Sequence, residues 1–144
     1  MTETIIIVKL FLACLLGGLI GFIREREKKA AGLRTHMLVC LGSTLFMLIS
    51  IYMSTQFKFT DAARIAANVV TGIGFIGAGA IIREGGSIRG ITTAASIWTV
   101  AAIGLAVGCE YYLAAVVATL VTLVVLQVVH EIERRYISPE KRED

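Results

Sequence analysis

The chain has 144 residues, 56% of them hydrophobic, with 17% charged residues and a single proline. A mean hydropathy of +0.79 is too high for an ordinary soluble domain of this length, and the composition excludes a disordered chain. The net charge of +3 does not mark a nucleic-acid partner, because the charges fall in short clusters between apolar runs, the pattern of a membrane protein.

The first run, Ile5 to Ile23, is about 19 residues long, sufficient to cross the hydrocarbon of a bilayer. Lys9 interrupts it near the outer end, where a lysine can snorkel to the headgroups, and this together with the basic cluster that follows excludes a secretory signal peptide. A polar hairpin comes next, with Arg24, Arg26, Lys28, Lys29 and Arg34 interleaved with Glu25 and Glu27. Arg34, Thr35 and His36 then read as an interfacial anchor and cap for a second span, Met37 to Met53. A polar link containing Lys58 leads to a third span from Asp61 to Ile82, for which Thr60 or Asp61 is a natural N-cap. A glycine-rich, positively charged turn (Arg83, Glu84, Gly85, Gly86, Arg89, Gly90) separates it from a fourth span, Ile91 to Val107, with Thr92 or Thr93 as its cap. Gly108 to Tyr111 makes a tight turn, and the fifth span occupies Tyr112 to Val129. The fold class is therefore an all-α, polytopic transmembrane helix bundle of about five spans. Residues 1–130 form the membrane domain, and 131–144 form a short charged cytoplasmic tail, helical at first and broken at Pro139. Placing the N-terminus outside and the C-terminus inside puts eleven lysines and arginines on the inner side. Lys9, Lys58 and Arg64 remain on the outer side, a strong positive-inside bias.

Few residues in these spans can carry chemistry. Asp61, Arg64, Asn68, Gly72, Phe75 and Gly79 are spaced by three and four, so they share one face of the third span. Ionisable groups there are costly and should face the bundle interior, a partner or water. In the alternative reading Asp61 caps the helix, Arg64 pairs with it or meets a lipid phosphate, and Asn68 bridges two helices. Glu25 could offer oxygen to a hard cation such as Mg²⁺, although alternating charges of this kind also make an ordinary solvated face. Small residues recur at helix-packing intervals: Gly17 with Gly21, Gly104 with Gly108, and Gly72, Gly74, Gly77 and Gly79 in the third span. GIGFIG at Gly72 to Gly77 matches the dinucleotide fingerprint, but it lacks a preceding strand, and no carboxylate lies between Gly86 and Cys109. Close helix packing accounts for it instead. Three cysteines give no disulfide framework, and with His36 and His130 they give no zinc spacing. No nucleophile with a base beside it is visible, so the chain does not read as an enzyme.

GGLIGFIREREKKAAGLRTHMLVCLGS (Gly17 to Ser43), DAARIAANVVTGIGFIGAGAII (Asp61 to Ile82) and IRGITTAASIWTVAAIGLAVG (Ile88 to Gly108) resemble the membrane domain of the MgtC/SapB family, in that order and spacing. The resemblance implies a multi-pass protein of the bacterial inner membrane, linked to magnesium homeostasis, growth in low Mg²⁺ and, in some pathogens, survival inside macrophages. By position it marks Glu25, Arg34, Thr35, His36, Asp61, Arg64, Asn68, the Gly72 to Gly79 run, Arg89, Thr92, Thr93 and Trp98. Many relatives continue into a soluble C-terminal domain, whereas this sequence ends about 15 residues after its last span. The membrane domain is therefore expected to act alone or to recruit a partner.

Two functions follow as expectations. The leading one is a regulatory or adaptor protein in adaptation to low Mg²⁺, a homo-oligomer in the bilayer with a membrane-protein partner, for which the family suggests the F-type ATP synthase. The alternative is an oligomeric transporter or channel for Mg²⁺ or another cation around the Asp61–Asn68 face. Mg²⁺ is the cofactor candidate, and Asp61 and Glu25 are its candidate ligands.

Overall fold

A computed structural model describes residues 3–57, 61–84 and 87–132. Five principal helices carry the chain: α1 Glu3–Arg26, α2 Leu33–Gln56, α3 Ala63–Gly79, α4 Ile91–Gly108 and α5 Tyr112–Val124. α5 continues through a π-helical turn, Val125–Val129, into His130–Ile132. α1, α2, α4 and the Tyr112–Val129 segment are long and apolar enough to cross a membrane. Expectations for Lys58, Thr60, the Gly85–Gly86 tip and the tail after Ile132, Pro139 included, fall outside the described residues.

The third helix departs from expectation. It has 17 residues and rises about 25 Å, short of a hydrocarbon thickness of about 30 Å. Instead of continuing to Ile82 it stops at Gly79, and Ile82–Glu84 (β1) pairs antiparallel with Ser87–Arg89 (β2), Ile82 opposite Arg89. Two local causes are visible. Four glycines between Gly72 and Gly79 weaken the helix, and the β-branched pair Ile81–Ile82 favours an extended backbone. Gly90 then closes the hairpin at φ +91°, where a Cβ would strike the Ala80 carbonyl. Only glycine fits there.

α2 lies at the centre, packed against α1 and α4; α3 leans on α4 and α2, and α5 on α4 and α1. Glycines set the distances. A Cβ on Gly17 would lie 2.7 Å from the His36 carbonyl oxygen, and one on Gly21 would lie 2.8 Å from Leu33 Cα. Gly104 meets the Cys40 carbonyl and Gly108 meets Met47 in the same way. Both glycine pairs therefore serve contacts within the protomer, on either side of α2. A core of Ala13, Leu16, Ile20, Cys40, Val100 and Ile103 fills the space between these three helices. A smaller cluster, Val69, Ile73, Ile97 and Ala101, joins α3 to α4. By contrast, added carbons at Gly72, Gly74 and Gly79 would meet nothing within 4 Å.

This division is testable. Gly104→Leu should lower the unfolding free energy in a maltoside detergent by about 1–3 kcal/mol or more, as overpacking does. Gly72→Leu should leave it near the wild-type value. Thermal melts of the two variants followed by circular dichroism check this; equal losses would contradict the assigned packing.

Candidate functional site

Polar side chains that the sequence places at the membrane surface turn inward at one end of the bundle. Arg24, read as part of a solvated basic cluster, is 3% exposed. Its Nη2 donates to Thr93 Oγ1 at 2.7 Å, and its Nη1 lies 3.7 Å from Glu27 Oε2. His36, read as an anchor, is fully buried. Its Nδ1 is 2.8 Å from the Gly32 carbonyl oxygen, to which it donates, and its Nε2 is 3.0 Å from Ser96 Oγ. The Ser96 hydroxyl in turn lies 2.8 Å from the Thr93 carbonyl. The result is a continuous polar seam, Arg24–Thr93–Ser96–His36, joining α1, α4 and α2. Further along, Thr44 Oγ1 donates to the Gly104 carbonyl at 2.8 Å.

The helix starts are also capped differently from the sequence reading. Thr93 is committed to Arg24, and α4 begins at Gly90 without a side-chain cap. Glu25 Oε2, eight residues upstream, accepts from the Leu33 N–H at 3.0 Å and so serves the first turn of α2. Asp61 does act at the start of α3, its Oδ1 accepting from the Ala63 N–H at 2.8 Å. The Ser50 hydroxyl donates to the Ala62 carbonyl and ties this start to α2. At the opposite end of α1, Lys9 does not snorkel. It is 1% exposed, donating to the Gly108 carbonyl at 3.1 Å and to Glu110 Oε1 at 2.9 Å.

Of the marked residues, Thr93 and His36 belong to the seam, while Glu25, Arg34, Arg89 and Thr92 are exposed, Glu25 at the start of α2 and Thr92 beside Thr93 in the first turn of α4. Asp61, Arg64 and Asn68 form a separate group on the outward side of α3, all exposed, with no Asp61–Arg64 ion pair among the described residues. Phe75, on the same face, is 86% exposed. Beside this face a groove of about 520 Å³ runs between α2 and α3, lined by Leu38, Phe46, Ile65, Asn68, Gly72 and Ile76. Glu25 sits by the first residue of α2 and Asp61 by its final turns. The 24 residues of α2 rise about 36 Å, so no single ion can use both carboxylates. Among the described residues no group of three or more His, Cys, Asp or Glu side chains is placed to hold a metal.

The seam was within reach of the sequence. Gly17, Gly21 and Arg24 are spaced by four and three, as are His36, Cys40 and Ser43, while Thr93, Ser96 and Val100 are spaced by three and four. Each set shares one helical face. What the spacing lacked was the identity of the facing helix.

A bundle of apolar helices closed by buried polar bonds, with a short helix showing a polar outer face, defines a polytopic helical membrane protein. The chain belongs to the MgtC family, whose pattern matches residues 10–135. It is 44% identical over 137 residues to the "Putative magnesium transporter YhiD" of Escherichia coli (strain K12), covering 92% of this chain and 64% of that protein. It is 44% identical over 117 residues to "Protein MgtC" of Salmonella typhimurium (strain LT2), covering 81% of this chain and 49% of the relative. With "Protein MgtC" of Brucella abortus the identity is 44% over 113 residues, 78% of this chain and 46% of the relative. The chain thus spans about half to two thirds of the length of these curated relatives. No solved structure matches it.

The seam predicts an unequal pair of variants. Thr93→Val removes the oxygen that accepts from a buried guanidinium and should cost about 1–3 kcal/mol of stability. Thr92→Val, one residue away and exposed, should cost less than about 0.5 kcal/mol. Unfolding of both in the same detergent measures the difference.

Proposed function

We propose that this protein acts in adaptation to low Mg²⁺ as a regulatory protein of the bacterial inner membrane, engaging other transmembrane helices through the outward face of α3 and carrying out no covalent chemistry. The observation that supports this reading is the position of Asn68. It is exposed on a helix whose neighbouring glycines, Gly72 and Gly79, leave open space. An amide facing hydrocarbon without a partner is costly, and a glycine surface lets another helix approach and satisfy it. The partner is a second copy of this chain, another membrane protein such as the F-type ATP synthase, or both in one assembly. The lysine and arginine distribution supports an N-terminus outside and a C-terminus inside.

A second reading, an oligomeric Mg²⁺ or cation carrier around Asp61, Arg64 and Asn68, draws on the name of the Escherichia coli relative. The interior of the protomer favours the first reading, because its buried Arg24, His36, Thr44 and Ser96 are engaged in hydrogen bonds between helices.

Under the regulatory reading, Asp61→Asn combined with Asn68→Ala abolishes support of growth in low Mg²⁺, while membrane level and melting temperature stay near wild type. Asparagine caps about as well as aspartate, so the variant removes the charge and the amide without removing the cap. Liposomes holding only the wild-type protein should show no flux of labelled Mg²⁺ above protein-free vesicles. Flux that disappears in the double variant would establish the carrier instead. Full complementation by the double variant would remove α3 from either function. Reporters fused after Glu27 should read as cytoplasmic and those after Gln56 and Glu110 as external; the reverse pattern would overturn the orientation.

A further inference from the structure

A cavity of about 550 Å³ opens beside the polar seam, where the C-terminal end of α1, the start of α4 and the π-helical turn after α5 meet. Among the described residues its charged lining is Arg24, Lys29 and Glu27, two cations against one anion. The first turn of α4 also lies in the wall through Ile91, Thr92 and Thr93. That helix has 18 residues and begins without a side-chain cap. Its unsatisfied N–H groups and the positive end of its dipole therefore add to the cationic character. A metal cation is disfavoured at such a place.

A second observation is independent of the helix end. Arg24 is almost fully buried, and its Nε has no hydrogen-bond partner among the described residues. Nη2 is held by Thr93, and Nη1 lies 3.7 Å from Glu27, beyond hydrogen-bond distance; both partners line the cavity, as Arg24 itself does. A buried guanidinium with a donor unspent is costly unless something accepts from it. The opposite wall is apolar. Val125, Leu126 and Val129 face the cavity from the π-helical turn, a distortion that often accompanies binding sites.

We propose that this cavity binds a phosphate group, its oxygens accepting from Arg24, Lys29, the Thr92 hydroxyl and the N-terminal amides of α4. A tetrahedral anion offers several acceptors to donors arranged around it, and guanidinium and helix N-termini both suit phosphate. The volume exceeds that of the group alone, and the valine and leucine wall leaves room for an organic portion. A phospholipid headgroup and a free phosphate compound share this chemistry.

The two sources separate by experiment. The full chain is purified in a phosphate-free maltoside detergent, stripped of lipid, and titrated with phosphatidylglycerol by native mass spectrometry. Inorganic phosphate is titrated separately by thermal shift and calorimetry. Lys29→Gln should weaken binding about tenfold, and Thr92→Val severalfold, while both variants melt near wild type because both side chains are exposed. Lys28→Gln, adjacent but not lining the cavity, should bind as wild type does. Retention of phosphatidylglycerol without a response to inorganic phosphate places a lipid headgroup in the cavity. A saturable response to inorganic phosphate places a free phosphate group there. Binding of neither overturns the proposal, and so does an equal loss from Lys28→Gln and Lys29→Gln, which would mark only a basic surface.

Discussion

Close approach of α2 to helices on both sides is the constraint from which the rest follows. It exists because Gly17 and Gly21 on α1, and Gly104 and Gly108 on α4, present backbone where any side chain would collide with α2. At such separation short side chains can bridge helices. Ser96 reaches His36, and Thr44 reaches a carbonyl of α4, because little lies between the backbones. In hydrocarbon there is no hydrophobic drive between helices, so packing contacts and hydrogen bonds carry the association. The glycines and the polar bonds are therefore one device, and loss of the first would stretch the second.

The two buried cations sit on this frame near opposite ends of α1. Lys9 joins α1 to the last residue of α4 and to Glu110 in the turn after it, and Arg24 joins α1 to the first turn of α4. A buried ionic group is weak evidence of net stability, since desolvation offsets much of the attraction. Its clearer effect is on register. A slide of α1 along α4 by one turn would break the bonds from Arg24 to Thr93 and from Lys9 to the Gly108 carbonyl at once. Neither cation is then free for headgroups, yet the charge asymmetry that suggests the orientation survives, at ten residues to two.

Hydropathy was sufficient to read five apolar segments and most of their limits, because crossing a bilayer imposes length and composition on each one. α1, α2 and α4 extend to within a few residues of the predicted spans. The hairpin Ile82–Arg89 was not legible, since a positively charged glycine-rich loop and a two-stranded hairpin have nearly the same composition. The polar seam was half legible. Helical spacing put Arg24 on the glycine face and His36 beside Cys40, but the choice between headgroup and neighbouring helix is made by tertiary packing. The glycines illustrate the same limit. All of them look alike in sequence, and only the fold separates those covered within the protomer from those left open on α3.

That separation gives α3 a distinct standing. It is short, it joins the bundle through the small cluster around Ile73 and Ile97, and its polar positions with Gly72, Gly74 and Gly79 look outward, whereas Gly77 packs on Ala94 of α4. Its far end is fixed by the hairpin, and the hairpin closes through Gly90, whose backbone approaches Ala80 too closely for any Cβ. Ile88 and Gly90 also line the cavity beside Arg24. An anion held there rests against the same backbone that ends α3 and begins α4. Occupancy of the cavity would favour the hairpin geometry that presents it, to the extent that the ligand binds that geometry better than any alternative. The outward face of α3 and the cationic cavity are thus joined through a connection of a few residues, which links the surface proposed for partners to the charge state at the mouth of the bundle.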